Sequence, residues 1–348
     1  MGVFSNPAFD DHERVVFCHD AATGLSSIIA IHSTKLGPGA GGCRLWAYAD
    51  EDAALTDVLR LSQGMSYKNA MAELPLGGGK AVIIKHPDFT GSDALYERFG
   101  EFVDSLGGAY ITAEDMGMSE AIMQVIGSRT SYVSGLPAEG GAAGGDPSPK
   151  TALGIYAGIR TAVEFRDART SLSGLRVAVQ GVGNVGYNLC RLLHADGAVL
   201  LVADMDETRV SRAVSEFNAT AVDLDEILKV DADVLAPCAM GAVLTEASIP
   251  ELRVDIVAGG ANNQLAAPGD GQRLHDAGIL YAPDYVINAG GIINVSCEYQ
   301  GGFTDADVDE QVMRIGTRLK RIFERSADND VPTNRIADAE ARRLIGRH

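Results

Sequence analysis

Residues 175–186 read Leu-Arg-Val-Ala-Val-Gln-Gly-Val-Gly-Asn-Val-Gly, an apolar run that leads directly into spaced glycines. A helical pattern of leucines follows, and a second apolar run then ends at Asp204. A strand, a G-x-G-x-x-G turn, a helix, a second strand and an acidic residue about 20 residues beyond the glycines form the fingerprint of a dinucleotide-binding βαβ unit. A glycine-rich turn alone would be weak evidence, but this full context predicts a dinucleotide-binding domain.

Each glycine of the motif has a physical role. Gly181 permits the tight turn, Gly183 lets the backbone approach the pyrophosphate, and Gly186 lets the helix pack closely on the strand. The N–H groups and the positive dipole end at the helix start attract the phosphates. Asp204 can accept hydrogen bonds from both hydroxyls of the adenine ribose and would repel a 2′-phosphate, which predicts NAD rather than NADP. The predicted cofactor-binding residues of this segment are Gly181, Gly183, Asn184, Val185, Gly186 and Asp204.

The bulk composition is ordinary for a globular protein of about two domains. The chain has 348 residues, of which 46% are hydrophobic and 22% charged. The sequence contains no apolar run of about 20 residues that would span a bilayer and no export signal, so a cytoplasmic location without a membrane partner is predicted. The five cysteines are scattered without CxxC spacing, which predicts reduced thiols and no metal site. The net charge of −18 argues against a nucleic-acid partner.

The second half of the sequence alternates between strand and helix patterns. This alternation predicts a parallel sheet with helices on both faces. Residues 151–164 predict a helix that enters this domain, and the tail from residue 307 onward predicts helices with a break at 329–332. The further strands are predicted at 199–203, 233–237, 255–259 and 278–283.

The first half has a mixed pattern and is separated from the second by a Gly- and Pro-rich loop at 138–149. We therefore predict an α/β fold of two domains. A mixed α/β domain takes residues 1–137 and a C-terminal helix at about 328–348. A doubly wound Rossmann domain that binds NAD takes residues 138–327. In the first domain, strands are predicted at 15–18, 26–32 and 80–85, and a helix at 52–69.

Two lysines of the first half are candidates for chemistry. Lys80 follows a triple glycine and enters an apolar strand, and Lys68 lies on the predicted helix. A lysine in a dry site near another cation can act as a base or activate water, although two surface lysines would give the same pattern. The glycine loop at 36–44 can offer N–H groups to a carboxylate. Residues 110–117 place acidic side chains at the end of a strand, where sites of α/β proteins usually lie.

These segments occur in an order that resembles a known family. Together with the fingerprint, they cover nearly the whole chain and resemble the amino-acid dehydrogenases that include glutamate, leucine, phenylalanine and valine dehydrogenases. Within that family, the sequence resembles the leucine dehydrogenases most. The motifs are Gly37-Pro to Gly41-Gly42-x-Arg44, Gly64-Met-x-x-Lys68, Gly77-Gly-Gly-Lys80, Thr112-Ala-Glu-Asp115-x-Gly117, Pro147-x-Pro-x-Thr151 and Val286-Ile-Asn-Ala-Gly-Gly291.

The resemblance implies an NAD-dependent oxidative deamination of an L-amino acid to a 2-oxo acid and ammonia, and the reverse reductive amination. It implies that Lys80 activates water and stabilises the carbinolamine, and that Asp115 transfers protons during the imine steps. Lys68, with the backbone of Gly41 and Gly42, is implied to hold the α-carboxylate. A homo-oligomer, from dimer to octamer, is expected on the same grounds. The resemblance further implies that residues 1–137 form a substrate-binding and oligomerisation domain, with an active-site cleft between the two domains.

The resemblance also implies residues around the nicotinamide and the ribose. Asn262 and Asn288 are expected at the substrate, and Thr151 and Asn263 at the nicotinamide end of the cofactor. The remaining residues expected beside the cofactor are Cys238, Ala239 and Met240.

The residues that the resemblance assigns to the substrate side chain are all apolar. Glutamate-specific members have a lysine where Ala40 stands, and a buried carboxylate without that lysine would be unpaired at a cost of several kcal/mol. Leucine-type members usually have leucine there, so Ala40 widens the pocket, whereas Ile292 narrows it by one methylene. We expect leucine and other branched aliphatic amino acids first and phenylalanine second, with valine and tryptophan also open. The pocket residues are Ala40, Met65, Ala113, Ile292 and Val295.

Two other functions stay open at this point. A hydroxy-acid dehydrogenase would commonly need a catalytic histidine or arginine, and none of the seven histidines lies in a recognisable motif. A non-catalytic NAD-binding regulatory protein would be expected to lack the lysine–aspartate pair, yet Lys80 and Asp115 are both present.

Overall fold

The computed structural model describes residues 2–87, 89–136, 143–239 and 241–347. The chain divides into two compact units. The first unit consists of Met1–Gly145, Val295–Asp305 and Ala341–His348, and the second of Asp146–Asn294 and Ala306–Glu340.

The first unit contains a mixed sheet in the order β1-β2-β5-β3-β6, with β4 also paired to β5. Strands β1, β2 and β5 are antiparallel neighbours, whereas β3 and β4 run parallel to β5. The strands are β1 (Arg14–Asp20), β2 (Leu25–Ser33), β3 (Gly39–Ala40), β4 (Cys43–Trp46), β5 (Gly77–Ile84) and β6 (Tyr110–Ile111). The helices are α1 (Glu51–Met71), α2 (Asp93–Ser105) and α3 (Glu120–Gly127), preceded by a 3₁₀ turn at Val3–Ser5.

The central strands of this sheet are apolar on both faces because helices cover both. Successive side chains of a strand point to opposite faces. Ile29 and Ile31 of β2 therefore join the core cluster that includes residues of α2 and α3, whereas Ile28 and Ala30 join the cluster that includes α1. Lys80 lies two residues before Val82 on β5 and therefore points to the same face of the sheet. Val82 packs in the core cluster that contains residues of α1. The strand pleat thus directs Lys80 to the face that α1 covers.

Helix α1 is defined at its start by Asp50, whose side chain accepts a hydrogen bond from the N–H of Ala53. Acidic residues in its first turn and Lys68 in its last complement the helix dipole. The helix packs directly on the backbone of β5, since a Cβ added at Gly78 would lie 2.1 Å from Ser66 Oγ. The triple glycine ahead of Lys80 is therefore where α1 approaches the sheet most closely.

The second unit contains a parallel sheet in the order β12-β11-β10-β7-β8-β9. This is the doubly wound arrangement, in which the chain winds outward in both directions from β7. It confirms the predicted fold class. The strands are β7 (Arg176–Gln180), β8 (Val199–Ala203), β9 (Thr220–Ala221), β10 (Val234–Pro237), β11 (Ile256–Val257) and β12 (Leu280–Tyr281).

Helices flank this sheet and continue to the end of the chain. The helices are α4 (Ser148–Asp167), α5 (Asn184–Ala195), α6 (Glu207–Phe217), α7 (Asp270–Asp276), α8 (Asp284–Ile287), α9 (Gly290–Gln300), α10 (Asp305–Asn329) and α11 (Thr333–Leu344), with a 3₁₀ turn at Ile249–Glu251. The predicted break at 329–332 lies between α10 and α11, where Asp330 has φ +53°.

The bounds of the compact units differ from the predicted domain ranges in the tail. Helix α10 packs on α4, because a Cβ added at Gly154 would lie 2.7 Å from Ile315 Cδ1 and one at Gly316 would lie 2.5 Å from Thr161 Oγ1. Residues 328–340 accordingly belong to the second unit, and of the predicted C-terminal helix Ala341–His348 return to the first, as Val295–Asp305 of the predicted NAD-binding range also do. There Arg347 contacts Asp10 and the buried His32.

None of the helices in the described part of the chain is both long and apolar enough to cross a membrane. All five cysteines are free thiols. Within the described residues, His, Cys, Asp and Glu side chains form no group of three or more that could hold a metal ion.

Candidate active site

Lys80 and Asp115 form a close ion pair in the first unit. Lys80 Nζ lies 2.8 Å from Asp115 Oδ2, and the Lys80 side chain is 8% exposed. Lys80 is held by β5, and Asp115 lies in the segment that follows β6. The structure therefore brings together the two residues that the sequence analysis singled out for catalysis.

Arg44 extends this pair to helix α1. Its Nε donates to Asp115 Oδ2 at 3.1 Å, and its Nη1 donates to Asp57 Oδ2 at 2.9 Å. The hydroxyl of Tyr48 donates to the same Asp57 oxygen at 2.7 Å. Asp115 thus receives hydrogen bonds from two cationic side chains on one oxygen.

These contacts decide the charge state of the acid. Burial raises the pKa of Asp115, but the charge and hydrogen bond of Lys80, together with the charge of Arg44, outweigh it and hold that pKa below its usual value. Burial lowers the pKa of Arg44, but the charges of Asp115 and Asp57 raise it by more. The pKa of Arg44 therefore lies above its usual value. Asp115 is therefore a carboxylate at neutral pH, with a second cation beside it.

Glycines allow the loop before β4 to approach this pair. A Cβ added at Gly42 would lie 2.8 Å from Asp115 Cβ, and one at Gly41 would lie 2.0 Å from the carbonyl oxygen of Gly79 and 2.9 Å from Met65 Cγ. Any larger residue would push the loop away from β5 and from Asp115. The N–H of Gly41 donates to the carbonyl of Ile111 at 3.2 Å.

The predicted substrate residues of the first unit lie along these same elements. Ala40 on β3 and Ala113 beyond β6 are buried, at 2% and 8% exposure. Met65 and Lys68 are partly buried on α1, and Met65 contacts the glycine loop. Val295 lies at the start of the second stretch of this unit.

The glycine fingerprint of the second unit has the geometry that a dinucleotide needs. Gly181 has φ +91°, and a Cβ there would lie 2.7 Å from Ala239 Cβ. A Cβ at Gly186 would lie 1.9 Å from the carbonyl oxygen of Gly181, whereas one at Gly183 would meet only Arg209, at 3.5 Å. Helix α5 begins at Asn184, directly after Gly183, so its free N–H groups face this open side. Gly181 and Gly186 are therefore packed against neighbouring atoms, whereas Gly183 leaves open the space in which a pyrophosphate would lie.

Asp204 follows β8 beside this turn. Its Oδ2 accepts the N–H of Val182 at 2.8 Å, and its Oδ1 accepts the N–H of Asp206 at 2.9 Å. The acid thus fixes the glycine turn as well as presenting its charge at the end of the strand.

A cavity of about 290 Å³ opens at the start of α5. Its charged lining residues are Asp146 and, from α6, Arg209 and Arg212, and Tyr187 and Asn188 of α5 also line it. The motif analysis did not identify these residues, because the fingerprint covers the turn and the terminal acid but not the facing helix.

The second unit contains Asn262 and Asn288, predicted at the substrate, and Thr151 and Asn263, predicted at the nicotinamide end. Asn288 Nδ2 donates to Asn262 Oδ1 at 2.7 Å, while Asn288 Oδ1 is buried without a hydrogen-bond partner. Thr151 lies in the first turn of α4, and a Cβ at Gly291 would lie 2.8 Å from its Oγ1. Asn263 has φ +53°.

Four further predicted positions belong to this part of the sequence. Cys238 and Ala239 follow β10 and lie against Gly186 and Gly181, and burial raises the pKa of the Cys238 thiol to about 11. Ile292 on α9 is 9% exposed. Met240 lies outside the described residues.

Unsatisfied buried acceptors support a dinucleotide here. Asn288 Oδ1 and Gln180 Oε1, at the end of β7, are buried acceptors without a partner. Buried acceptors are nearly always hydrogen-bonded in native proteins, so such groups point to a ligand that donates. The residues present fit a dinucleotide.

The chain is similar to curated proteins along nearly its full length. Leucine dehydrogenase of Geobacillus stearothermophilus is 47% identical over 345 residues, which cover 99% of this chain and 94% of that protein. L-tryptophan dehydrogenase of Nostoc punctiforme is 46% identical over 331 residues, which cover 94% of this chain and 91% of that protein. A crystal structure of L-tryptophan dehydrogenase from Nostoc punctiforme matches with a TM-score of 0.86 and 44% identity, over 96% of both chains.

The fold and these relatives define an amino-acid dehydrogenase with a nucleotide-binding domain. A model described as Glu/Leu/Phe/Val dehydrogenase, dimerisation domain, matches residues 12–132, and the Glutamate/Leucine/Phenylalanine/Valine dehydrogenase model matches residues 200–341. The chain belongs to the Glu/Leu/Phe/Val dehydrogenase family.

Proposed function

We propose that this protein catalyses the reversible NAD-dependent oxidative deamination of hydrophobic L-amino acids, with leucine and other branched aliphatic amino acids preferred. The observation that carries the proposal is the buried contact of 2.8 Å between Lys80 Nζ and Asp115 Oδ2. Opposite charges at this distance out of bulk water hold each other in place, and they supply a cation and a base next to one another.

In this proposal, residues of the first unit bind the substrate and transfer protons. Lys68 and the backbone at Gly42 bind the α-carboxylate; the N–H of Gly41 is already donated to Ile111. Lys80 Nζ holds the water that adds to the imine carbon and stabilises the carbinolamine oxygen. Asp115 takes the proton from that water and returns a proton to the departing ammonia. When bound, NAD accepts the hydride from the α-carbon.

Residues of the second unit hold the cofactor in this proposal. The N–H groups at the start of α5, from Asn184 and Val185, bind the pyrophosphate, with Arg209 beside them. Asp204 accepts hydrogen bonds from the ribose hydroxyls, and its negative charge repels a 2′-phosphate. This favours NAD over NADP. Thr151 and Asn263 bind at the nicotinamide end, and the unpartnered Asn288 Oδ1 is available to the substrate.

The apolar residues predicted for the substrate side chain set the substrate class. In the first unit, Ala40, Met65, Ala113 and Val295 offer no partner for a distal carboxylate, so glutamate is disfavoured. The resemblance to leucine dehydrogenase supports branched aliphatic side chains.

Aromatic amino acids are the second candidate. Ala40 is small, and the similarity to an L-tryptophan dehydrogenase at 46% identity supports a pocket with room for a ring. Phenylalanine and tryptophan are therefore tested beside leucine and valine.

The experiment is a set of initial rates, followed at the absorbance of reduced nicotinamide. Leucine, valine, phenylalanine and tryptophan are compared with lactate and malate, each with NAD and with NADP. Activity with leucine and NAD, and none with the hydroxy acids, is the expected result. No reduction with any of the amino acids would refute the proposal and favour a non-catalytic NAD-binding protein.

We also propose a homo-oligomer. The family model that matches residues 12–132 is described as a dimerisation domain. Light scattering on the purified protein tests this, and a mass of 36.6 kDa at micromolar concentration would contradict it.

A further inference from the structure

Arg44 is held in register with the segment that contains Asp115. The N–H of Cys43 donates to the carbonyl of Ala113 at 2.8 Å, and the N–H of Leu45 donates to the carbonyl of Met116 at 2.9 Å. The residues on both sides of Arg44 are thus hydrogen-bonded to the residues around Asp115. Because backbone bonds fix this pairing, the contact between the two side chains follows from strand register.

The guanidinium of Arg44 bridges two carboxylates. Nε donates to Asp115 Oδ2 at 3.1 Å and Nη1 to Asp57 Oδ2 at 2.9 Å, and the side chain is only 21% exposed. A planar guanidinium presents its donors in fixed directions, so two anchored carboxylates fix its orientation. Tyr48 donates to Asp57 at 2.7 Å and thereby restrains the second anchor.

The second anchor lies on the helix that carries the proposed carboxylate-binding lysine. Asp57 and Lys68 are both on α1, about three helical turns apart, and therefore on one face. Arg44 thus connects the helix face that carries Lys68 with the acid that exchanges protons.

We propose that Arg44 is a positioning residue for the deamination: it holds Asp115 Oδ2 between its own guanidinium and Lys80 Nζ and so fixes the place and orientation of the acid. Asp57 and Tyr48 hold Arg44 in that orientation. The inference rests on the proposed function, because it assigns Asp115 the proton transfers. It adds an arginine, an aspartate and a tyrosine to the residues on which the reaction depends.

The charge balance around the acid supports this role. Without Arg44, Lys80 is the cation left beside Asp115, and burial would then raise the pKa of the acid. The other titratable groups that face the pair are Cys43, Tyr48, Tyr110 and Asp57. Burial raises the pKa of the Cys43 thiol and of both tyrosines, so these three stay neutral at neutral pH. Cys43, Tyr48 and Tyr110 therefore do not contribute to the acid limb of activity.

The test compares Arg44→Gln with Arg44→Lys. Arg44→Gln is expected to lower kcat about 10- to 100-fold, with little change in KM, and to move the acid limb of the kcat profile upward by about one pH unit. Arg44→Lys keeps the charge, so it is expected to restore the acid limb while recovering kcat only in part. A purely structural role would lower kcat without moving the acid limb.

The matched control is Arg98→Gln. Arg98 lies in the same unit but pairs with Glu101 and Asp20 at the surface, so its removal is expected to leave kcat and the acid limb unchanged. Tyr48→Phe is the second variant, in case Arg44→Gln does not fold. It removes one hydroxyl and should shift the acid limb in the same direction by a smaller amount.

A direct titration separates this inference from the proposed function. Infrared spectra of protein labelled with [4-¹³C]aspartate, assigned by the band lost in Asp115→Asn, give the pKa of Asp115 without turnover. A higher pKa in Arg44→Gln supports the inference, and an unchanged pKa overturns it, whatever the substrate. If Lys80→Ala keeps full activity while Arg44→Gln raises this pKa, the proposed catalytic roles fail and the electrostatic part of the inference survives.

Discussion

Lys80 Nζ and Asp115 Oδ2 are 2.8 Å apart although the two residues come from different elements, a strand in the middle of the sheet and the segment beyond its last strand. The N–H groups of Cys43 and Leu45 on β4 donate to the carbonyls of Ala113 and Met116. Because β4 also pairs with β5, these bonds hold Asp115 beside the strand that carries Lys80. The pair is therefore fixed by the sheet and not by mobile surface loops.

Lys80→Ala should reduce turnover by about three orders of magnitude or more, because it removes the group that holds the attacking water. Binding of NAD should survive, since the fingerprint lies in the other unit. Steady-state rates and fluorescence titration with reduced cofactor measure the two effects. Lys85→Ala, at an exposed position just beyond the same strand, is the control. Near-normal turnover in Lys80→Ala would show that the lysine is not catalytic.

Asp115→Ala should destabilise the first unit as well as abolish activity. It leaves Lys80 buried beside Arg44 without a carboxylate, and breaking a buried pair typically costs about 3 kcal/mol. That corresponds to a fall in melting temperature of roughly 5–10 °C. Asp115→Asn keeps a hydrogen-bond acceptor at the same place. It should also lose activity, but its melting temperature should fall less than that of Asp115→Ala. Equal melting temperatures for all three proteins would contradict the burial argument.

Asp204→Asn should shift cofactor preference toward NADP. The charge that repels a 2′-phosphate is lost, while the amide oxygen can still accept the N–H of Val182. We expect the ratio of kcat/KM for NAD to that for NADP to fall at least about 10-fold. Asp206→Asn, next to the same strand end, is the comparison, and an equal change in both variants would remove Asp204 from its assigned role.

Ala40→Leu should narrow the side-chain pocket. Ala40 is 2% exposed on β3, and in the proposed pocket the larger isobutyl side chain of leucine takes up space that the substrate side chain would fill. Rates with phenylalanine and tryptophan should fall about 10- to 100-fold more than the rate with leucine. A uniform loss with all substrates would mean that the position affects packing alone.

Acid should destabilise the protein through its buried histidines. Burial, with the charge of Arg347, lowers the pKa of His32 to about 3, and burial lowers the pKa of His12 as well. The unfolded chain binds these protons near pH 6.5 while the folded chain does not, so stability is full above that pH and declines as pH falls toward 3. Melting temperature should therefore drop between pH 7 and pH 5. His32→Gln should flatten this dependence, and His86→Gln, at an exposed position, should not.

The sequence predicted those parts of the molecule that local patterns determine. The βαβ fingerprint, the helix that carries Lys68 and the break before α11 all lie where the residue pattern placed them, because turn glycines, periodicity and proline act within a few residues. Strands at 255–259 and 278–283 are shorter in the structure, where β11 and β12 each keep two residues. Just beyond these strands, Ala258 still donates to the carbonyl of Leu235 and Ala282 to that of Val257.

Long-range partners could not be read from the sequence in the same way. Arg44 was visible in its motif, but its contacts to Asp115 and Asp57 depend on strand register across 71 and 13 residues. The cluster of Arg347 with His32 and Asp10 spans still more of the chain. No periodicity links such residues, and only the folded backbone brings them together.

The distance along the chain between His32 and Arg347 has a consequence for biosynthesis. The two residues are 315 positions apart, so at ribosomal speed about 15 to 60 seconds pass between their incorporation. During that interval His32 can reach Asp10 and Ser66, which are made early, but not Arg347. The last contacts of the first unit therefore form only after the whole second unit has been synthesised.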